Sequence, residues 1–449
     1  MSSRTPIVDF VRRYRESGTV RAHMPGHKGR SRLGYEPLDI TEIAGADALY
    51  EADSIIRESE ENAARHFGFG RTLYSAEGSS QCIRAMLFLA MDGRKRDGER
   101  PVVLAARNVH KAFIHACALL DIDVEWLMPE GEGRELCSCP VSPEGLRQKL
   151  TACGENKPFA VYITSPDYLG GTADVTGLAA ICHEAEIPLL VDNAHGAYLK
   201  FLQPSRHPID LGADMTCDSA HKTLPVVTGG AYLQISKEME KKLTRDPKIA
   251  LGLFGSTSPS YLILQSLDLC NKLLAEGYIE DIRTACVRVS VLADALQKLG
   301  FDARANGGDP LKLVIRDARG GTALAQGLRE RGIEVEFADR TAVVLMLTPD
   351  NTEEDLVCIQ NALADIGASG PAWEDLPALP APVRAMTIRE AVFASAELID
   401  TQKSEGRICA VPTVSCPPAV PIAVSGEIIT KETVQTLLAY GIMEIEVVR

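Results

Sequence analysis

The chain has 449 residues, 45% hydrophobic and 24% charged, the proportions of an ordinary globular protein long enough for two or three domains. They exclude a disulfide-stapled peptide, a fibrous repeat and a disordered chain. Asp and Glu (61) outnumber Lys and Arg (47), for a net charge of -14, and no basic run forms a stripe for phosphates, so nucleic acid is not an expected partner.

The first segment, MSSRTPIVDFVRRYRESG, alternates charge with apolar residues and lacks the apolar core of a secretory signal. No later stretch approaches the roughly 18 apolar residues of a membrane span, so a cytoplasmic protein without membrane association is expected. HMPGHKG follows at 23–29. Its histidines stand at i and i+4, but Pro25 and Gly26 disfavour the helix that would align them on a metal, and no metal site is expected. An interface loop and a substrate contact both remain open for it.

Glu77-Gly78-Ser79-Ser80-Gln81 then precedes a helical run, Cys82–Ala90. The short apolar runs 101–104, 159–163, 187–191 and 211–216, separated by helical patterns such as 176–186, predict βαβ units around a parallel sheet buried on both faces. A further strand is expected at 230–235. Residues 260–299 keep helical spacing for about forty residues and predict a long helix or a helix pair. Strands at 311–315, 333–337 and 342–347 predict a smaller α+β domain. The Pro- and Gly-rich stretch 366–383 reads as a linker, and 385–449 as a final unit containing PTVSCPPAVPIAVSGE at 412–427. The twelve cysteines, none in a CxxC pair, are expected to be mostly reduced, buried small residues.

All nine histidines lie at or before His221, so polar chemistry concentrates in the first half. His110, His195 and His221 each follow a predicted strand, and open α/β sheets bind ligands outside the carboxyl ends of their strands. In Asp218-Ser219-Ala220-His221-Lys222-Thr223, a lysine sits among small hydroxyl residues beside a histidine. There its amine is either partly desolvated and nucleophilic or simply an exposed loop cation. Asp192 ends a nearly all-apolar strand, where a carboxylate needs a cationic partner such as a protonated pyridine ring or else caps the following helix. Gly78, Ser79 and Ser80 offer free N–H groups and hydroxyls at a helix start, as a phosphate site or an ordinary serine cap. Together the four features form a joint pattern much rarer than its parts.

That pattern resembles the fold type I pyridoxal-phosphate enzymes, and within them the bacterial-type ornithine/lysine/arginine decarboxylases. The matching stretches are HMPGHKG (23–29), GSS (78–80), RNVHKAF (107–113), DYLGG (167–171), VDNAHGAY (191–198), SAHKTLP (219–225), STSPSYLI (256–263) and PPAVPIAVSGE (417–427). The resemblance implies an α/β fold of aspartate aminotransferase type, with a mostly parallel sheet in the large domain and smaller α+β C-terminal domains. The division it suggests is an N-terminal segment (1–50), a large cofactor-binding domain (51–275), a small α+β domain (276–370) and a C-terminal decarboxylase-type domain (371–449), with no receiver-like wing domain ahead of them.

It further implies pyridoxal 5'-phosphate as cofactor, Lys222 as the Schiff-base lysine, Asp192 on the pyridine nitrogen and His110 stacked on the ring. Ser79, Ser80, Ser219 and His221 would hold the phosphate, His195 would lie near the cofactor face, and Lys222 or His221 would return the proton at Cα. The implied reaction is decarboxylation of arginine, lysine or ornithine to its amine and CO2. A homodimer or higher homo-oligomer is implied, with Ser256, Thr257 and Ser258 reaching the neighbouring subunit's phosphate. Transamination, β-elimination and a non-catalytic relative are the alternatives.

The chain departs from the family pattern at Glu77 (usually Asn), Asn193 (usually Glu), Val227-Thr228-Gly229-Gly230 (often Leu-Thr-Gln) and Cys416-Pro417-Pro418-Ala419 (commonly Tyr-Pro-Pro-Gly). These leave the cofactor residues intact and the substrate open. Glu427 is the candidate substrate ligand of the proline-rich segment, if that segment is more than a rigid loop.

Overall fold

A computed structural model describes residues 4–92, 100–130, 136–154, 156–305, 307–370, 377, 379–412 and 420–449. Cys416-Pro417-Pro418-Ala419 lies outside the described residues. Seven strands, β1 (Arg71–Ser75), β2 (Val102–Ala106), β3 (Asp123–Leu127), β4 (Ala160–Thr164), β5 (Leu189–Asp192), β6 (Met215–Asp218) and β7 (Ala231–Ile235), form the main sheet in the order β1-β7-β6-β5-β4-β2-β3. β2 pairs in parallel with β3 and β4, and β5 with β6. β7 is antiparallel to both β6 and β1. The chain reaches β7 from β6 through residues 219–230, which contain only a four-residue helix. A parallel crossover takes a dozen or more residues and is usually built on an α-helix; these twelve residues hold only four helical ones, and the strand returns antiparallel.

The chain forms two compact units, Met1–Asp92 with Leu190–Arg283, and Gly93–Leu189 with Thr284–Arg449. In the first, helix α1 (Pro6–Glu16) packs with α2 (Ile55–Phe67), and α3 (Gly78–Ala90) lies on β6 and β7. The Ile7 and Val8 N–H groups at the start of α1 are received by the buried Asp268 carboxylate at 2.9 and 3.0 Å, which satisfies donors that every helix start leaves unpaired. The expected forty-residue helical stretch is a helix pair: Tyr261–Leu273 and Ile279–Lys298 are joined by a π turn in which Gly277 takes φ +123°.

The second unit carries β2, β3, β4 and helix α4 (Lys111–Leu120). It also holds a four-stranded antiparallel sheet of β8 (Asp302–Ala305), β9 (Lys312–Arg316), β10 (Phe337–Ala338) and β11 (Ala342–Met346), in the order β10-β11-β9-β8. β12 (Ala396–Asp400) and β13 (Glu444–Val448) form a further antiparallel pair. The strand expected at 333–337 is reduced to Phe337–Ala338. Its first residue, Ile333, spends its N–H on Leu328 O at 3.0 Å, closing the preceding helix instead of joining a ladder. Among the described residues, no helix is long and apolar enough to cross a membrane.

Candidate active site

β5 and β6 are buried along their whole length and end on Asp192 and Asp218. Beyond β6, the helix Ala220–Thr223 carries His221 and Lys222. Backbone bonds hold the strand ends together past the ladder. Asn193 N–H donates to Cys217 O at 3.1 Å, Ser219 N–H to Ala194 O at 3.2 Å and His221 N–H to Gly230 O at 3.1 Å. The tips of β5 and β6 and the turn into β7 therefore form one scaffold, and the residues singled out by sequence stand on it.

Lys222 Nζ and His195 Nε2 are 2.8 Å apart. Asp192, 3% exposed, receives Ala194 N–H at 3.1 Å and the Cys217 thiol at 3.3 Å, both on Oδ1. Burial first, and the Asp192 carboxylate next, push the Cys217 thiol far above its ordinary range, so it stays an S–H donor. His221 Nδ1 lies 2.9 Å from Gly230 O. A carbonyl only accepts, so Nδ1 carries the hydrogen.

Beneath these tips lies a buried polar hub that sequence reasoning missed. Asp218 Oδ1 accepts from Asn193 Nδ2 (2.8 Å) and Thr216 Oγ1 (3.0 Å), and Oδ2 from His207 Nε2 (2.9 Å) and Gln234 Nε2 (3.1 Å). His207 and Asp218 are both fully buried. Only three-dimensional pairing reveals His207, because SRHPID reads as an ordinary polar loop.

The start of α3 is tied to the same scaffold. Gly78 N–H donates to Gly229 O at 2.7 Å, with Gly78 at φ +70° and Gly229 at φ +98°. A Cβ on Gly229 would be strained at that φ and stand 3.2 Å from Ala76 O. Ser79 and Ser80 are half-buried in the first turn of this 13-residue helix, where N–H groups point out of the helix without intrahelical acceptors. A Cβ built on Gly78 meets nothing within 4 Å, so this turn opens onto space. An anion-favouring helix start, a buried carboxylate and an amine at the end of β6 match the phosphate, ring nitrogen and carbonyl of pyridoxal phosphate. The residues present fit that cofactor.

Ser256 and Thr257 are exposed, and Ser256 N–H donates to the Glu77 carboxylate of the same chain. That bond places the segment beside the start of α3. His110 belongs to the second unit, where it caps α4; its Nδ1 accepts Ala112 N–H at 3.1 Å.

Glu427, also in the second unit, is held by Arg107 through two bonds of 2.6 and 2.8 Å and receives Val424 N–H at 2.9 Å. Arg107 also donates to Pro421 O at 3.2 Å and lies 4.6 Å from the Trp126 ring centre. Glu427 is thus engaged by Arg107 and the Val424 backbone, while residues 413–419 of the proline-rich segment lie outside the described residues. In HMPGHKG, His27 pairs with Asp39 at 3.1 Å and His23 with the Tyr14 hydroxyl at 2.5 Å, both within the N-terminal segment.

The family model for the Orn/Lys/Arg decarboxylase major domain matches residues 5–299. An uncharacterised protein of Bacillus subtilis, YaaO, is 29% identical, over 96% of this chain and 93% of its own. An arginine decarboxylase of Bacillus anthracis is 28% identical, over 96% and 92%. The solved lysine decarboxylase of Francisella novicida superposes with a TM-score of 0.81 at 16% identity, covering 99% of this chain and 81% of the other. The fold is that of the fold type I enzymes. With the family matched across the whole scaffold that carries Lys222, Asp192 and the start of α3, the chain belongs to the Orn/Lys/Arg decarboxylases and is a pyridoxal-phosphate-dependent decarboxylase of a basic amino acid.

Proposed function

We propose that the substrate is arginine, the products agmatine and CO2, and that Lys222 is the lysine bonded to the cofactor. The observation that carries the site assignment is the 2.8 Å approach of Lys222 Nζ to His195 Nε2 at the strand ends that also present Asp192. Arginine is favoured because curated relatives aligned over 92% of their length are arginine decarboxylases. When bound, pyridoxal phosphate supplies a ring that takes up the electron pair left as CO2 departs.

The chain's own groups prepare that chemistry. Asp192, fixed by Ala194 and Cys217, holds a negative charge at the end of β5 for the ring nitrogen. Ser79 and Ser80, with the N–H groups of the first turn of α3, are positioned for the phosphate, and Ser219 and His221 complete this cradle. His221, turned onto Gly230 by Nδ1, keeps Nε2 as its second polar atom. His110 is assigned to the ring face, and Ser256 and Thr257 to the phosphate region. The active form is a homodimer.

Mass spectrometry of products from arginine, lysine and ornithine tests this reading. Agmatine is the expected product; cadaverine or putrescine would replace arginine as the substrate, and a keto acid would overturn decarboxylation for this chain. Lys222→Ala should abolish amine production and leave no cofactor fixed to the protein by borohydride. Retained turnover would refute the lysine assignment.

A further inference from the structure

Lys222 and His195 meet through nitrogen atoms, and a hydrogen bond between two nitrogens needs one donor and one acceptor. At 2.8 Å the ammonium of Lys222 can donate to a neutral imidazole Nε2, or a neutral amine can accept from Nε2–H. The two arrangements differ by one proton moved along the bond. An ammonium cannot attack a carbonyl and a neutral amine can, so the position of this proton decides whether Lys222 is a nucleophile.

We propose that His195 is the proton-exchange partner of Lys222, taking a proton from Nζ through Nε2 so that the neutral amine can capture the carbonyl of pyridoxal phosphate. In the step, the Nζ–H bond breaks, Nε2–H forms, and the imidazole gains the positive charge that the amine loses. The amine then condenses with the carbonyl carbon and one water leaves. This assignment rests on Lys222 being the cofactor lysine.

The surroundings suit the role. His195 is 3% exposed, which limits exchange of its proton with bulk water. Asp192 stands three residues earlier, at the end of β5. Asp218 is itself bonded to His207, and Cys217 to Asp192, while His221 is turned onto Gly230. His195 is bonded to Nζ. His221, although it directly precedes the lysine in the chain, has its Nδ1 committed to the backbone.

The test follows capture of pyridoxal phosphate by the full-length apoprotein, using the absorbance rise at mixing and the mass fixed on Lys222 by borohydride. Neither readout needs turnover. His195→Ala is expected to slow capture by roughly 100-fold, the usual scale of a positioned acid–base group, and added imidazole should restore much of the rate. His195→Gln, whose amide can accept a hydrogen bond but cannot take the proton, should stay slow. A wild-type rate in His195→Gln or in His195→Ala would overturn the proposal, as would a slow His195→Ala that imidazole does not rescue. If His195→Ala fails to fold, His195→Gln decides alone. A wild-type protein that fixes no cofactor on Lys222 would instead refute the underlying lysine assignment.

Discussion

Replacing Glu427 by Ala separates a structural carboxylate from a substrate ligand. Arg107 and Glu427 are 2% and 5% exposed and joined by two bonds of 2.6 and 2.8 Å. The alanine variant leaves the guanidinium buried with Pro421 O and the Trp126 face as partners, and takes the acceptor from Val424 N–H. Stranding one member of a buried ion pair costs about 3–5 kcal/mol, and the orphaned backbone donor adds roughly 1–3 kcal/mol. The expected loss is therefore roughly 4–8 kcal/mol before relaxation. Removing both charges, in Arg107→Met with Glu427→Leu, should recover the ion-pair part, about 3–5 kcal/mol, because a well-packed apolar pair often matches a buried ionic one, while the Val424 N–H stays without its acceptor. Urea unfolding of the single and double variants measures the loss and the recovery, and KM for the amino acid is measured beside it. A Glu427→Ala protein within about 1 kcal/mol of wild type, but with KM raised at least tenfold, would refute the structural assignment and make Glu427 a substrate ligand.

A change of Asn193 to Glu, the residue usual in the family, should bring a second carboxylate against Asp218 in place of the amide that now donates at 2.8 Å. A loss of at least about 2 kcal/mol is expected from the lost donor and the like-charge contact; a thermal melt equal to wild type would show that Asp218 does not select the amide. Burial raises the Asp268 carboxyl to about 6, above its ordinary 3.8, despite its bonds from Ser59, Val8 and Ile7. The folded state therefore binds this proton more tightly than the unfolded one, so the contribution is most favourable below about pH 4 and is lost as pH rises towards 6. The stability of wild type relative to Asp268→Asn should fall across that window by an amount on the order of 2 kcal/mol, and a flat difference curve would contradict the shift.

The main sheet was legible where a strand buried on both faces is mostly apolar, as β5 and β7 are. The strand expected at 211–216 lies instead at Met215–Asp218, whose Thr216 and Asp218 are polar, because residues 211–214 turn before it. β1, β3, β8, β12 and β13 were not singled out, because short strands with polar residues or mixed burial lack that signature; β13 even carries the alternation of Glu444, Ile445, Glu446 and Val447. The stretch at 333–337 misled for the opposite reason. Alternating apolar residues suggested a ladder, but the Ile333 N–H was already claimed by a helix end. At the site, Lys222, Asp192 and the GSS turn were readable as strand-end and helix-start chemistry. The His207–Asp218 pair was not, since its partners are 11 residues apart and only the return of the chain from β5 to β6 brings them together.

The departures from the family pattern gain a common physical meaning once their partners are named. Asn193 turns its amide onto the Asp218 hub, Glu77 receives the Ser256 N–H, and Gly229 receives the Gly78 N–H that ties α3 to the turn before β7. All three bind backbone or supporting side chains and hold strand ends and a helix start in register. Such positions can change together with their partners while Lys222, Asp192, Ser79 and Ser80, the residues proposed to hold the cofactor, keep their places. A different side chain at 193 or 77 is therefore evidence of a re-tuned scaffold. It is weak evidence of a different reaction, because these bonds hold the strand ends that carry Asp192 and the proposed cofactor lysine, Lys222.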